Sequence, residues 1–89
     1  MRPEIFLSSR AKEFLLRVSK TNQKLYNLLE SHISRLPENY MRDPLLQGSA
    51  FKGLRKHRVE DHRILYRTLH GQFLVHVVQI GHRREIYDR

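Results

Sequence analysis

Cysteine is absent from this 89-residue chain, which excludes disulfide staples and thiolate metal sites. Acids are scarce: nine Asp and Glu stand against 17 Lys and Arg, a formal charge of +8. No apolar run approaches the ~20 residues that span a bilayer, and the N-terminus carries no signal-peptide h-region. Internal repeats and low-complexity segments are missing as well. These absences point to one small cytoplasmic domain that buries somewhat more than ~60% of its unfolded surface. Its charge implies a polyanionic partner: nucleic acid, an acidic protein segment, or both.

The stretch from Leu54 to Tyr87 organises the chain. It reads as three strands joined by two tight turns, at Glu60-Asp61 and His70-Gly71, each with the spacing of a two-residue hairpin loop. His70-Gly71 is the stronger signal, because glycine tolerates the positive φ such loops require. Phe73 to Ile80 is almost continuously apolar, as in a strand buried on both faces. Counting from the turns places Val59 opposite His62, Arg58 opposite Arg63, and Lys56 opposite Leu65. Across the second turn it places Leu65 opposite His76 and Arg63 opposite Val78. Alternation then collects Lys56, Arg58, Arg63, Arg67 and His76 on one face, and Val59, Ile64, Tyr66, Phe73, Val75 and Val77 on the other. Two arginines opposed across a ladder repel, so an anion is expected between them in use. The plainer reading is a solvated edge whose cations block strand addition.

The first half supplies a scaffold. Glu4 to Ser8 suits one more strand, and Ser8 or Ser9 offers an N-cap oxygen. From Arg10 to Ser19, Ala11, Phe14, Leu15 and Val18 recur on one helical face. Residues 19–22 break that pattern and cap a second helix. There Leu25, Leu28, Leu29, His32 and Leu36 repeat the spacing until Pro37. His32 reads as a packing residue, because no His or acid at i±4 completes a metal pair. Pro37 to Ala50 loses periodicity and reads as a long loop. The fold class is therefore α+β: a strand, a two-helix hairpin and three hairpin-linked strands, with the helices on one face of an antiparallel-rich sheet.

Three pieces in this order carry a family resemblance: GLRKHRV at Gly53–Val59, EDHRILYR at Glu60–Arg67, and IGHRREIY at Ile80–Tyr87. The chain resembles the RelE/ParE superfamily of toxins from type II toxin–antitoxin modules over nearly its whole length. The RelE branch implies a ribosome-dependent mRNA endonuclease that cuts by 2′-OH attack, with no metal and no cofactor. Carried over, Arg63 clamps the scissile phosphate and Lys56 acts as base or charge stabiliser. Arg83 serves the leaving group or the phosphate, and Tyr87 stacks on or orients the substrate. His82 is a further acid or base candidate; its plainer reading is a strand-ending residue bonded to the backbone. Arg58, Lys52, Arg67 and Arg84 line the RNA path. Glu60-Asp61-His62-Arg63 is also similar to a signature of the YoeB/Txe branch, which makes Asp43 a minority candidate base; its plainer reading is an exposed loop acid. Arg55 and His57 stand where relatives more often carry apolar residues. A continuous ladder would put Arg83 on the face opposite Arg63, unless Gly81 hosts a bulge.

The resemblance further implies a cognate antitoxin with an acidic or amphipathic segment that folds on binding. Ribosome and mRNA complete the partners; the free toxin is expected to be monomeric and the toxin–antitoxin complex of higher order. The alternative is a ParE-like inhibitor of DNA gyrase that cuts no RNA. A third possibility is an inactive relative kept as a DNA-binding partner.

Overall fold

In the computed structural model, residues 3–48, 53–69 and 73–86 are described. The chain opens with strand β1 (Glu4–Leu7), and Ser8 ends it by capping helix α1 (Ser9–Thr21). The Ser8 hydroxyl accepts from the Ala11 amide at 3.1 Å, satisfying one of the donors a helix start leaves unpaired. Asn22 does the same for helix α2 (Gln23–Ile33), its side chain accepting from the Leu25 amide at 3.1 Å. The expected inward face of α1 is present: Ala11, Leu15 and Val18 are buried and Phe14 packs beside them.

The second helix ends earlier than its apolar spacing suggests. It stops at Ile33, and Leu36 and Pro37 open a separate short helix, α3 (Leu36–Asn39). Proline disfavours helical backbone at the residue before it but is tolerated in a first turn. Leu36 is still fully buried, so the apolar stripe continues across the break. The expected long loop is thus helical at its start, and it is paired further on. Leu45 bridges to Arg55, the Leu46 amide donates to the Leu54 carbonyl at 2.9 Å, and the Lys56 amide donates to the Pro44 carbonyl at 3.1 Å.

Strands β2 (Arg55–Val59), β3 (His62–Leu69) and β4 (Leu74–His82) join β1 in one sheet of order β1-β4-β3-β2. β1 runs parallel to β4 and the other pairs are antiparallel. Helices pack on one face, and the α+β expectation holds. Ala11, Leu29 and Leu36 meet Ile64, Tyr66, Val75 and Val77 there, all with no exposed surface.

The register of β2 on β3 is as counted: Val59 faces His62, Arg58 faces Arg63 and Lys56 faces Leu65. Without a glycine, that turn still needs a left-handed residue, and Glu60 takes it at φ 52°. The register of β3 on β4 differs from the expectation. Leu69 faces Leu74, so four residues separate the paired ends instead of two. An additional shift lies at Leu65/Tyr66, where Val78 of β4 has no partner on β3. Leu65 therefore faces Gln79, and Arg63 faces Gly81. The Ser8 hydroxyl donates to the carbonyl of that bulged Val78, tying the start of α1 to the irregularity. Phe73, expected on the core face, lies before β4 and is 52% exposed.

These packing relations set a stability contrast. Leu29→Ala removes a wholly buried side chain and should lower unfolding free energy by about 2–5 kcal/mol. Leu16→Ala, on the exposed side of α1, should change it by no more than about 0.5 kcal/mol. Urea unfolding of both variants measures the difference.

Candidate nucleic-acid interface

Strand alternation sends His57, Val59, Ile64 and Tyr66 toward the helices and leaves Lys56, Arg58, Arg63 and Arg67 on the outer face. Arg67 faces His76 across β3 and β4, so the imidazole joins the same face as expected. Arg58 and Arg67 are exposed and Lys56 is half-buried. Arg63 departs from the open cation expected of it: it is 6% exposed. Its Nη1 donates to the Glu60 and His62 carbonyls, each at 3.0 Å, closing the turn from below.

The cover over Arg63's end of the sheet comes from the residues after β4. Gly81 faces Arg63, and a Cβ there would meet Ile86 Cγ1 at 3.2 Å. Ile86 is itself 2% exposed, so this end of the outer face is roofed. The Arg83 amide donates to the Asp61 carbonyl at 2.7 Å, which brings the exposed Arg83 and Arg84 to the β2–β3 turn. The bulge in β4 lies at Val78 and not at Gly81, and Arg83 sits in the turn after the strand.

His82 lies on the other side. It faces His62 across the ladder, with ring centroids 5.4 Å apart, and His62 in turn meets Phe14 of α1. The pair borders a cleft of about 360 Å³ with Lys24, Leu28 and Asp61. His82 Nδ1 accepts from the Arg84 amide at 3.1 Å, as the plainer reading of a strand-ending histidine requires. The structure therefore does not bring His82 together with Lys56 and Arg63. Lys52 and Tyr87 lie outside the described residues.

Asp43 is not an exposed loop acid. Its side chain is 14% exposed, and Oδ2 lies 2.8 Å from His57 Nδ1. The Tyr66 hydroxyl donates to the same oxygen at 2.6 Å. His57 Nε2 then lies 3.0 Å from His32 Nδ1, so one shared proton links β2 to α2. Arg55 Nη1 donates to the Asp43 carbonyl at 2.8 Å while its guanidinium sits over the Tyr40 ring. Arg55 and His57 thus both hold this loop. The carboxylate is on the helix-facing side, away from Lys56 and Arg63, which removes Asp43 from the position of a base on the cationic face. Sequence reasoning missed the network. Its signal was two histidines, His32 and His57, at positions whose parity points into one core, because buried polar groups require partners.

Burial, and next the bond to Asp43, raise the Tyr66 hydroxyl's pKa well above the ordinary tyrosine value. Burial, followed by His57 and Arg35, lowers His32 from its ordinary 6.5. Burial and then His82 lower His62, against a smaller opposing pull from Asp61, Glu60 and Glu85. Among the described residues, no group of three or more His, Asp or Glu is arranged to hold a metal ion.

A helical hairpin covers one sheet face, and Lys56, Arg58, Arg63 and Arg67 lie on the other. The family profile of the ParE toxin of type II toxin–antitoxin system, parDE, matches residues 5–87, and the chain belongs to that family. The resemblance to the RelE/ParE superfamily is borne out. Solved structures share the fold. YafQ from E. coli strain BL21(DE3) aligns with a TM-score of 0.73 at 20% identity, over 97% of this chain and 99% of that one. The toxin–antitoxin complex RelBE2 from Mycobacterium tuberculosis aligns at 0.75 and 18%, over 93% and 100%. A YoeB/ParE toxin from Agrobacterium tumefaciens aligns at 0.76 and 15%, over 92% and 98%. At such identities the likeness fixes the fold and leaves the chemistry to the residues. No curated protein sequence matches the chain.

Two outcomes follow from these polar groups. Asp43→Ala strands the Tyr66 hydroxyl and His57 Nδ1, and should destabilise by about 1–3 kcal/mol for each donor left unpaired. His32 and His62 bind protons less readily when folded, so the unfolded chain takes up more protons below 6.5. Stability should therefore be full above that pH and fall as pH drops through it. Thermal melts between pH ~7.5 and ~5.5 check the sign, and replacing both histidines by Gln should flatten the slope.

Proposed function

We propose that this chain is a ribosome-dependent mRNA endonuclease, held inactive by a cognate antitoxin and acting in the cytoplasm. The observation that carries the reading is the register of β2 on β3, which sets Arg58 against Arg63 and Lys56 beside them on one face. Cations gathered on one sheet face suit an RNA backbone, because Lys and Arg gain affinity by neutralising its phosphates. In the step proposed, the ribose 2′-oxygen attacks the adjacent phosphorus and the bond to the 5′-oxygen breaks. The 2′-proton leaves to a base and the 5′-oxygen gains a proton, giving a 2′,3′-cyclic phosphate and a 5′-hydroxyl. Lys56 stabilises charge on the equatorial oxygens, Arg63 adds its positive charge from the buried layer beneath, and Arg83 at the turn serves the leaving side. Arg58 and Arg67 bind the strand.

A second reading, gyrase inhibition without RNA cleavage, is favoured by the parDE description of the matching family. Primer extension on message from cells expressing the chain separates the two. Cuts within ribosome-bound codons are expected. Intact message together with inhibited gyrase supercoiling would reverse the order.

The antitoxin reading is supported by family membership and by the solved relatives, which include the E. coli DinJ–YafQ complex and RelBE2. An acidic segment that folds over a chain of charge +8 should lose affinity as salt rises. Titration of the complex at increasing ionic strength measures this. Indifference to salt would move the contact to the apolar side of the helices.

Arg63 carries the sharpest expectation. Arg63→Ala should lower the cleavage rate by about 10²–10³. It should also lower the melting temperature, because the Glu60 and His62 carbonyls lose their donor. Arg63→Lys should recover part of the stability and little of the rate, since an ammonium cannot copy the guanidinium fork. Arg58→Ala should leave the melting temperature in place and weaken binding. A fully toxic Arg63→Ala protein would remove this arginine from the mechanism.

A further inference from the structure

The roof over Arg63 reaches only one end of the outer face. At the other end three side chains lie in a single row across three strands. Phe6 of β1 faces His76 of β4, and His76 faces Arg67 of β3. Phe6 is 51% exposed, although its neighbours Ile5 and Leu7 pack into the core. Arg67 is exposed and His76 half-buried. Adjacent strands are ~4.8 Å apart, so an aromatic ring, an imidazole and a guanidinium follow one another at the spacing of contacting groups.

We propose that this row is a subsite for single-stranded RNA, with bases stacked on Phe6 and His76 and a phosphate held by Arg67. The proposal rests on the RNA reading above and extends it to nucleotides beyond the cut. Charge selects the occupant. Among the strand residues Glu4 is the sole acid, two residues from Phe6 on the same outer face, where four cations, Lys56, Arg58, Arg63 and Arg67, outweigh it. An acidic peptide would satisfy those cations and gain little from an exposed ring beside an imidazole. A single strand uses both, because each base presents a π-face and each phosphate a charge. A duplex cannot, since its bases are stacked on one another.

Distance gives the subsite its place. Arg63 and Arg67 are both in β3, four residues apart and on the same face. At ~3.3 Å per residue that is ~13 Å, a few nucleotides along a single strand. The row therefore reads bases flanking the phosphate at Arg63, and it sits where β1 closes the sheet.

The test is equilibrium binding of a fluorescein-labelled single-stranded RNA octamer, and of a duplex of the same sequence, to the full chain and its variants. Phe6→Ala should weaken single-strand binding about tenfold or more, and Phe6→Tyr should restore it. His76→Ala should act in the same direction. Duplex binding should change little in all three, and Leu16→Ala on the far helix should match the parent. Unchanged single-strand affinity in Phe6→Ala, an equal loss for duplex, or no measurable single-strand binding by the parent would each overturn the subsite. Loss of acidic-peptide affinity with RNA affinity intact would overturn it too and make the row a protein surface. A parent that binds single strands through Phe6 but cuts no message keeps the subsite and removes the nuclease reading. A parent that cuts message, with Phe6→Ala binding RNA as well as it does, removes the subsite alone.

Discussion

The side chains of β3 are not free to choose their faces independently. Ile64 and Tyr66 must meet the helices, because each is fully buried among Leu29, Leu36 and Val77. The pleat then commits Arg63, Leu65 and Arg67 to the opposite face. Slipping β3 by one residue would turn Ile64 and Tyr66 to the outer face and two guanidiniums into the core, a change that no sheet with one sealed face tolerates. The cationic face is the complement of the core. Its position is therefore as secure as the packing behind it, and β2 inherits the same constraint through its paired register with β3.

The polar groups that do enter the helix-facing layer are handled in a different way. His57 and Tyr66 converge on one oxygen of Asp43, and His57 passes its second ring nitrogen to His32. A helix, a strand and a loop are thereby joined at one carboxylate. An unpaired member of such a set is destabilising by more than its bond is worth. Among the described residues, no buried side-chain nitrogen or oxygen lacks a partner. The loop that looks structureless in the sequence is held at Asp43, Pro44 and Leu46.

Much of the frame was readable in advance because it depends on near neighbours. The inward faces of α1 and α2 follow from spacings of three and four residues, and Ser8 and Asn22 cap them through contacts three residues away. The turn at Glu60-Asp61 is short enough that counting gives the register. The β3–β4 register escaped because Gly71 suggested a tighter loop than the one formed, and because a bulge at Val78 leaves no mark in an apolar run. The site was less readable for the same reason. Arg63 is buried opposite Gly81, over which Ile86 lies, and Asp43 is bound to residues 14 and 23 positions away. Neither relation has a periodicity to betray it. Tertiary contact decided both, and each changed what a named residue is able to do.

The parallel pairing of β1 with β4 has a consequence for the life of the chain. Glu4 to Leu7 find their partners only at Leu74 to Val77, and Ser8 bonds to Val77 and Val78. A ribosome adds ~5–20 residues per second, so the first strand waits for seconds after it is made. Contacts of such long sequence separation form late, because the loop entropy must be met before they can repay it. The helical hairpin and the β2–β3 hairpin can assemble while β1 is still unpaired. Closure of the sheet thus has to wait for β4, and a nascent chain released before Val78 has no means of completing its own architecture.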